Sequence, residues 1–478
     1  MLFNSISFAL FLPVVFFLYW FVTPKNLRNQ NILLLVSSYF FYACWDWRFL
    51  FLLIFSTLLD YYTGLKMADA QSSGAKKFWL WLSVSINLGF LGFFKYYNFF
   101  AESFAEAVSN LGFHVDTWTL RIILPVGISF YTFHGLSYVI DIYNNKIKAE
   151  KSFIDYSVFV SFFPLLVAGP IERATHLLPQ IQKPRTFDYA RAVDGLKQIL
   201  WGLFKKIVIA DQCAKYVNLI FNDSDHYSGS TLWVGAVLFA FQIYGDFSGY
   251  SDIALGAARL FGIDLLRNFA FPYFSRDIAE FWRRWHISLS TWFRDYLYIP
   301  LGGSRGGTAT KVRNTFIIFL VSGFWHGANW TFIIWGLLNA LYIMPSILFN
   351  THRNNLDIVA SGRTLPTVKE LMSMLVTFGL TVLAWVFFRS ETVTGAFHFV
   401  ETMFSGSLFT LPQVFPKLQI LLVLFFIVIE WMGRQQQYAI ATLGLQKPKA
   451  VRYAFYYMLI LMIVVFNGNS QQFIYFQF

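Results

Sequence analysis

Twelve apolar stretches, separated by short polar connections, follow one another along almost the whole chain. Several are shorter than the roughly 20 residues that an α-helix needs to cross a bilayer. We therefore expect a polytopic, all-α membrane protein in which some helices are tilted, broken or set in a locally thinned membrane. The stretches lie at residues 6–22, 31–44, 49–65, 78–94, 122–140, 207–221, 232–257, 315–325, 331–349, 372–388, 418–430 and 453–466.

The basic residues predict an orientation for these stretches. Lysines and arginines gather between them, as the positive-inside rule describes for cytoplasmic loops. Every basic cluster faces the cytoplasm if the chain crosses the membrane about twelve times with both termini outside. Residues 153–168 then form a re-entrant pair or lie against the bundle. The clusters are Lys25 with Arg28, and the segments 66–77, 146–151, 173–206, 259–313, 352–369 and 447–452.

Composition narrows the class of protein. Of the 478 residues, 56% are hydrophobic and 13% are charged, against about 25% charged in a typical soluble protein. The 37 basic and 26 acidic residues give a net charge of +11, which the loops account for, so we expect no nucleic-acid partner. Two cysteines without ligand spacing predict no disulfide framework and no metal site. Without a cleavage site or a linker, we predict one integral-membrane domain over 1–478 with its first helix retained.

A single histidine, His326, lies in the run 320–330 between two strongly apolar stretches. An ionisable side chain at membrane depth is costly to bury, so such a residue is a candidate for function. Imidazole is also the side chain best suited to proton transfer near neutral pH. A core histidine beside the turn at Gly327 is the alternative, and position alone gives both interpretations equal weight.

Aromatic and apolar residues recur at steps of three and four between residues 277 and 297, which predicts an amphipathic helix. Basic charge beside its aromatic face favours a helix at the membrane interface or one that enters the bundle. Glu280 and Arg284 form an i,i+4 pair on the other side, and Pro300 ends the helix. His286 lies at the edge of the apolar face, where a structural role is the favoured interpretation. This face consists of Ile278, Phe281, Trp282, Trp285, Leu289, Trp292, Phe293 and Tyr296.

Polar residues interrupt the apolar stretch 232–257, and they include Asp246 and Asp252. Carboxylates at membrane depth need partners, and Gln242 and Ser248 each precede one of these aspartates by four residues. The glycines and serines of the run allow neighbouring helices to approach closely. A polar packing seam is the favoured interpretation. A cavity wall that orders a substrate or the histidine-bearing segments is the alternative.

Two runs of sequence, 280–290 with His286 and 325–330 with His326, closely resemble the membrane-bound O-acyltransferase family. Within its bacterial branch, the chain is most similar to the membrane subunits of alginate O-acetylation. The likeness runs from the first helix to the last residue, with a signature region at about 240–340. The other matching motifs lie at 164–173, 245–252, 294–303 and 473–478.

The resemblance implies a fold and a site. The fold is a ring of about 11–12 tilted transmembrane helices, with re-entrant segments, around a central tunnel. The resemblance makes His326 the catalytic residue and His286 its partner, at the meeting point of a cytoplasmic tunnel and an outer funnel. Further candidates for substrate binding are Trp325, Asn329, Arg283, Arg284, Asp246 and Asp252.

It also implies an O-acyltransferase of the bacterial inner membrane. An acyl group, expected to be acetyl from acetyl-CoA, enters from the cytoplasm, where the basic segment 259–313 attracts the anionic donor. Neutral His326 is the expected general base on the acceptor hydroxyl, with His286, Asn329 or backbone donors at the oxyanion. Transient acylation of His326 is the other route. The acetyl group then passes to an exported partner acetyltransferase, for O-acetylation of an exported or cell-wall polysaccharide. The scheme needs no tightly bound cofactor.

Two alternatives stay open at this point. Within the enzyme class, the chain transfers D-alanyl groups, or acylates a protein or a lipid. In another class, it is a transporter or flippase for a glycan intermediate, with Asp246 and Asp252 as buried polar groups along its path. No internal inverted repeat supports the transporter hypothesis.

Overall fold

The computed structural model describes residues 1–24, 26–113, 119–120, 123–167, 169–468 and 471–474, and their regular secondary structure is helical. No β-strand occurs in these ranges. Parts of several predicted features lie outside them: Lys25, Ile122, residue 168 and the tail residues 475–478. The α-helices of the described residues are α1 Ile6–Phe17, α2 Leu27–Ala43, α3 Trp47–Asp69, α4 Ser73–Leu91, α5 Tyr97–Ser109, α6 Ile128–Tyr143, α7 Phe153–Ser161, α8 Phe163–Leu166, α9 Ala174–Ile181, α10 Tyr189–Leu203, α11 Asp211–Asn222, α12 Gly229–Leu260, α13 Ile278–Arg284, α14 Ile287–Phe293, α15 Gly307–His326, α16 Trp330–Leu348, α17 Val368–Arg389, α18 Val393–Met403, α19 Lys417–Met432 and α20 Lys449–Phe466.

Several helices contain or adjoin wider π-helical turns, and a few connections form short 3₁₀ turns. Such local changes of winding are common near functional sites and at bends. The π-helical turns are Leu18–Val22, Gly92–Tyr96, Phe204–Ala210 and Arg294–Tyr298, and the 3₁₀ turns are Ser224–His226, Pro272–Phe274 and Gly406–Phe409.

Among the described residues, five helical segments are long and apolar enough to cross a bilayer by length and composition. They confirm a multi-pass membrane protein, while the count of about twelve crossings stays a prediction. The segments are Trp47–Asp69, Ser73–Ser109, Trp330–Leu348, Val368–Arg389 and Lys449–Phe466.

The chain divides into two compact units. Unit 1 comprises Met1–Gly195 and Ala257–Leu266, and unit 2 comprises Leu196–Gly256 and Arg267–Phe478. Both histidine-bearing segments, 280–290 and 325–330, belong to unit 2. Unit 2 therefore contains the candidate catalytic residues.

The core of unit 1 is built around a buried carboxylate. Asp60 on α3 accepts hydrogen bonds from the Ser83 hydroxyl at 2.6 Å and from the Asn87 amide at 2.7 Å, both on α4. On α6, Gly135 lies so close that an added Cβ would be 1.9 Å from an Asp60 carboxylate oxygen. The segment 153–168, predicted as a re-entrant pair or a layer against the bundle, forms the short buried helices α7 and α8.

In unit 2, α15 and α16 form a tight helical hairpin whose turn lies at residues 327–329. The two backbones are in close contact, because a Cβ added to Gly323 of α15 would lie 2.3 Å from the carbonyl oxygen of Phe332 on α16. Small residues permit such approaches between membrane helices. The hairpin places His326 at the last residue of α15, beside the predicted turn.

Candidate active site

The segment 277–297 is not one amphipathic helix, and this prediction is wrong. Helix α13 ends at Arg284, Trp285 is extended, and His286 has φ 43° and ψ 55°, in the left-handed region. That conformation costs a non-glycine residue about 1–3 kcal/mol and persists only where the surroundings impose it. Here the preceding loop imposes it: the Ile287 N–H donates to the Asn268 carbonyl at 2.9 Å, and the Ala270 N–H to that of Arg284 at 2.9 Å.

The predicted pairing of Glu280 with Arg284 is confirmed, at 2.7 Å. The pair is not on a solvated face, because Glu280 is buried and also binds the guanidinium of Arg276 at 3.1 Å. A carboxylate shared by two arginines holds the first turn of α13 in place, and so fixes the direction in which the chain enters the break at His286.

A buried amide holds the imidazole of His286. His286 Nδ1 lies 3.0 Å from Asn268 Oδ1, and the Ser288 hydroxyl donates to the same oxygen at 2.8 Å. The Asn268 Nδ2 donates to Ser251 Oγ on α12 at 3.1 Å. His286 Nε2 has no hydrogen-bond partner among the described residues. The ring is 1% exposed, and Phe247 covers it edge-on at 4.7 Å between centroids.

The second histidine lies in an aromatic cage. The His326 ring centroid is 4.8 Å from Trp325, 5.0 Å from Trp335 and 5.4 Å from Phe388. Trp325 also approaches His286, at 6.3 Å. The structure therefore brings the two predicted histidines to the same tryptophan. We call His286, His326, Trp325, Trp335 and Phe388 the histidine cluster.

More tryptophans extend this cluster into a continuous aromatic wall. Trp385 of α17 stacks on Trp335 at 5.7 Å and contacts Trp285 at 5.0 Å. Large aromatic rings exclude water and hold their neighbours at fixed distances. The aromatic wall therefore forms a rigid environment of low dielectric constant around the imidazoles of His286 and His326.

Asn329 has a capping role. It is the N-cap of α16, where its Oδ1 accepts the Thr331 N–H at 3.0 Å, and its Nδ2 donates to the Glu391 carbonyl at 2.8 Å. These bonds use the carbonyl and one of the two amide hydrogens. A contact of Asn329 with substrate stays a prediction.

Arg283 and Arg284 line a cavity of about 280 Å³ together with Arg267 and Arg434. The Arg283 guanidinium donates to the carbonyls of His352 and Asn355, each at 2.7 Å, so its position is fixed by backbone. The Arg267 Nε donates to the Phe269 carbonyl at 2.6 Å. Arg267 also lines a narrow polar cleft that reaches Ser251 and Asn268. The cavity and the cleft share Arg267 and Phe271, and the cleft reaches the amide that holds His286.

The two aspartates of α12 form buried ion pairs, and the interpretation of a polar packing seam describes them well. Asp246 binds Lys206 at 2.7 Å and Asp252 binds Lys205 at 2.5 Å. Lys206 also binds Asp211 at 2.8 Å. We call these five residues the lysine seam. Helices meet closely here, since a Cβ added to Gly249 would lie 2.8 Å from the Gly202 carbonyl oxygen.

The segment 173–206 was predicted to be a cytoplasmic basic cluster, but Lys205 and Lys206 at its end are not solvated loop residues. Both are buried, Lys206 completely, and they lie in the π-helical turn Phe204–Ala210. Apolar residues flank the two lysines on both sides in the sequence, which is the signal that could have revealed their burial. Asn268 was missed as well, and its loop carries no periodic pattern that could have revealed it. Direct roles for Asp246 and Asp252 toward substrate stay predictions.

Comparison with known proteins gives this site a context. The model of the membrane-bound O-acyltransferase family matches residues 145–387. The probable alginate O-acetylase AlgI of Pseudomonas aeruginosa is 40% identical over 94% of this chain and 84% of its own length. The peptidoglycan O-acetyltransferase of Helicobacter pylori is 38% identical, over 84% of this chain and 80% of its own. The teichoic acid D-alanyltransferase of Bacillus subtilis is 27% identical, over 57% and 70%.

Proposed function

The chain belongs to the membrane-bound O-acyltransferase family, and from this premise we propose that it carries acetyl groups from a cytoplasmic thioester to the outer face of the bacterial inner membrane. The acceptor pathway is O-acetylation of an exported or cell-wall polysaccharide. Two relatives that each match more than four-fifths of the chain are named for O-acetylation, one of alginate and one of peptidoglycan. The D-alanyl relative matches little more than half of the chain, which favours acetyl as the group transferred.

The histidine cluster is the observation that carries this proposal. His286 and His326 share contact with Trp325 in a dry aromatic surround. In the proposed reaction the acceptor oxygen bonds to the thioester carbonyl carbon, and the carbon–sulfur bond breaks. His326 takes the hydroxyl proton and returns it to the departing thiolate, so the protons balance. Such base catalysis typically contributes about 10²–10⁴-fold to a rate.

The basic cavity supports an anionic donor such as acetyl-CoA. Arg267, Arg283, Arg284 and Arg434 line it, and guanidinium groups suit phosphate oxygens in charge and in geometry. The neighbouring polar cleft shares Arg267 with this cavity and reaches Asn268, so the proposed phosphate site lies next to the residue that holds His286. The donor serves as a substrate, and the residues described do not require a resident cofactor for this step.

An exported acetyltransferase is the proposed partner on the outer side, which receives the acetyl group and passes it to the polysaccharide. The transporter hypothesis loses its main support, because Asp246 and Asp252 are already paired with Lys206 and Lys205. A carboxylate neutralised by a buried lysine is poorly suited to cycle through ion binding.

The test measures acetyl ester released by mild base from the cell's exported polysaccharide. A deletion strain is complemented with wild type, His326→Ala or His398→Ala, where His398 is an exposed histidine of α18 that serves as the matched control. We expect wild type and His398→Ala to restore the ester and His326→Ala to fail, at equal membrane levels. Full restoration by His326→Ala would remove His326 from the chemistry and revive the transporter hypothesis.

A further inference from the structure

Asn268 occupies a position between the break at His286 and helix α12 that no sequence motif assigns to the reaction. It is 1% exposed, and its side chain contacts three polar groups: the His286 ring, the Ser288 hydroxyl and the Ser251 hydroxyl. Its backbone carbonyl also accepts the Ile287 N–H at 2.9 Å. One residue therefore holds both the backbone and the side chain of the left-handed turn that presents His286.

These contacts determine the orientation of the Asn268 side-chain amide. The Ser288 backbone N–H donates to Asn268 Oδ1 at 3.4 Å, and a backbone N–H can only donate. The group that faces Ser288 and His286 is therefore the carbonyl oxygen, and the NH₂ group faces Ser251. A carbonyl oxygen accepts and never donates, so the His286 nitrogen opposite it, Nδ1, must carry a proton.

We propose that Asn268 is a positioning residue, which fixes the proton of the neutral His286 ring on Nδ1 and leaves Nε2 as a hydrogen-bond acceptor. The proposal rests on the proposed function. It assigns His286 a part that the family resemblance left open: His286 accepts a hydrogen bond from a hydroxyl or thiol group of the substrates, and it is not a neutral donor to the oxyanion. The buried Nε2, which has no hydrogen-bond partner within the described part of the chain, is the atom available for this contact.

The surroundings of the ring favour the neutral form. The groups that face it are the rings of Phe247 on α12, Phe269 in the preceding loop and Trp325 on α15. The charged residues that line the cleft beside Asn268 are Lys205, Asp252, Arg267 and Glu430, and the His286 contacts named above involve none of them. A carboxylate in place of the Asn268 amide would therefore be the first charge in direct contact with the imidazole.

Two substitutions test this with purified protein in lipid nanodiscs, by following thiol release from acetyl-CoA. Asn268→Leu removes the acceptor, and we expect kcat to fall at least about tenfold while KM for acetyl-CoA changes little. Asn268→Asp keeps an acceptor for Nδ1–H and stabilises the imidazolium, so the rise of the rate with pH should move to higher pH by about 1 unit or more. Ser248→Ala, a buried serine of α12 that bonds its own helix, is the control and should match wild type.

A purely structural role for Asn268 predicts something else. Both substitutions would then lower the yield of folded protein. The molecules that do fold would keep the wild-type kcat and pH profile. Wild-type kcat and pH profile in both Asn268→Leu and Asn268→Asp would overturn the proposal.

A spectroscopic measurement separates this inference from the proposed function. In protein labelled with ¹⁵N-histidine, the His286 signals are assigned by comparison with His286→Ala, since bare and protonated ring nitrogens have well-separated shifts. We expect a protonated Nδ1 and a bare Nε2 in wild type, and a mixture of tautomers in Asn268→Leu. If Nδ1 is protonated but no acetyl transfer occurs, the proposed function fails and the positioning role stands. If the enzyme is active with Nε2 protonated, the positioning role is refuted and the proposed function stands.

Discussion

The lysine seam and the histidine cluster bury ionisable groups within the same unit in opposite ways. In the seam, the Lys206 ammonium binds Asp211 at 2.8 Å, Asp246 at 2.7 Å and the Gln471 carbonyl at 3.1 Å. An ammonium has three donors, and here two carboxylates and one carbonyl lie within 3.1 Å of it. In the cluster, aromatic rings surround the imidazoles, and the Nε2 of His286 has no partner among the described residues.

This difference teaches how to separate groups that hold the fold from groups that react. A buried ammonium that is surrounded by carboxylates depends on these partners for its stability. Removing the ammonium leaves the carboxylates buried and unpaired. A buried imidazole with one nitrogen unmatched is incomplete until a substrate arrives. Substitutions in the seam should therefore lower stability, and substitutions in the cluster should lower the rate per folded molecule.

The largest expected effect comes from removing an imidazole of the cluster. His326→Ala should reduce acetyl transfer per folded molecule by about 10²–10⁴-fold, because it removes the proposed general base. His286→Ala should also lower the rate, by at least about tenfold, because it removes the acceptor of a hydrogen bond from the substrates. The measurement is the initial rate of thiol release from acetyl-CoA in nanodiscs, normalised to folded protein. His398→Ala provides the matched control. A rate for His286→Ala within twofold of wild type would place that residue with the structural groups.

The next effect tests the seam. Lys206→Met leaves Asp211 and Asp246 buried together without their cation, which should cost about 3–5 kcal/mol of stability. The midpoint of thermal unfolding and the yield of monodisperse protein report the change. Lys66→Met is the control, since Lys66 lies at the end of α3 outside the seam. A second substitution, Asp246→Asn, should recover part of the loss, and no recovery would contradict the pairing.

A smaller effect is expected where the two backbones of the hairpin meet. Gly323→Ala forces α15 away from the Phe332 carbonyl, and crowding of this kind typically costs about 1–3 kcal/mol. Because His326 ends the same helix, the rate should fall together with the stability. Gly379→Ala on α17, where an added Cβ meets nothing within 4 Å, should be neutral. If Gly323→Ala and Gly379→Ala had the same stability and the same rate, the two backbones of the hairpin would not be in close contact.

The smallest effect concerns a pair in unit 1. Glu172 raises the pKa of His176, because its carboxylate bonds His176 Nδ1 at 2.8 Å, while burial acts in the opposite direction. A raised folded-state pKa gives stability that is fully present below the unfolded value of about 6.5 and is lost as pH rises through the folded value. His176→Gln should therefore lower stability by less than about 1 kcal/mol at pH 5.5 and not at pH 8.5. The unfolding midpoints of wild type and His176→Gln at the two pH values test this prediction. A larger loss of stability at pH 8.5 than at pH 5.5 would contradict it.

The sequence predicted the helical fold and one ion pair of the site, but it did not predict how His286 is held. Hydrophobic patterning predicted an all-helical membrane protein, and spacing predicted the pair of Glu280 with Arg284. The same periodicity failed at His286, because the break is imposed by hydrogen bonds that Ile287 and Ser288 donate to Asn268, a residue outside the periodic segment. Spacing along one helix cannot show a contact that another segment makes.

The lysine seam shows the same limit in a different form. Lys205 and Lys206 continue a run of basic residues, so a rule based on loop charge assigned them to the cytoplasm. Their partners lie on α11 and α12, and only the folded arrangement reveals that Asp211, Asp246 and Asp252 neutralise them. The apolar residues on both sides of the lysines were a better guide than their charge.

One experiment tests the central claim most directly: His326→Ala and Lys206→Met measured side by side in nanodiscs, for thermal midpoint and for acetyl transfer per folded molecule. We predict that His326→Ala keeps the wild-type midpoint and loses about 10²–10⁴-fold in rate. Lys206→Met should lose stability, and its folded fraction should keep a rate near that of wild type. The reverse pattern, a stable but inactive Lys206→Met beside an active His326→Ala, would contradict the account.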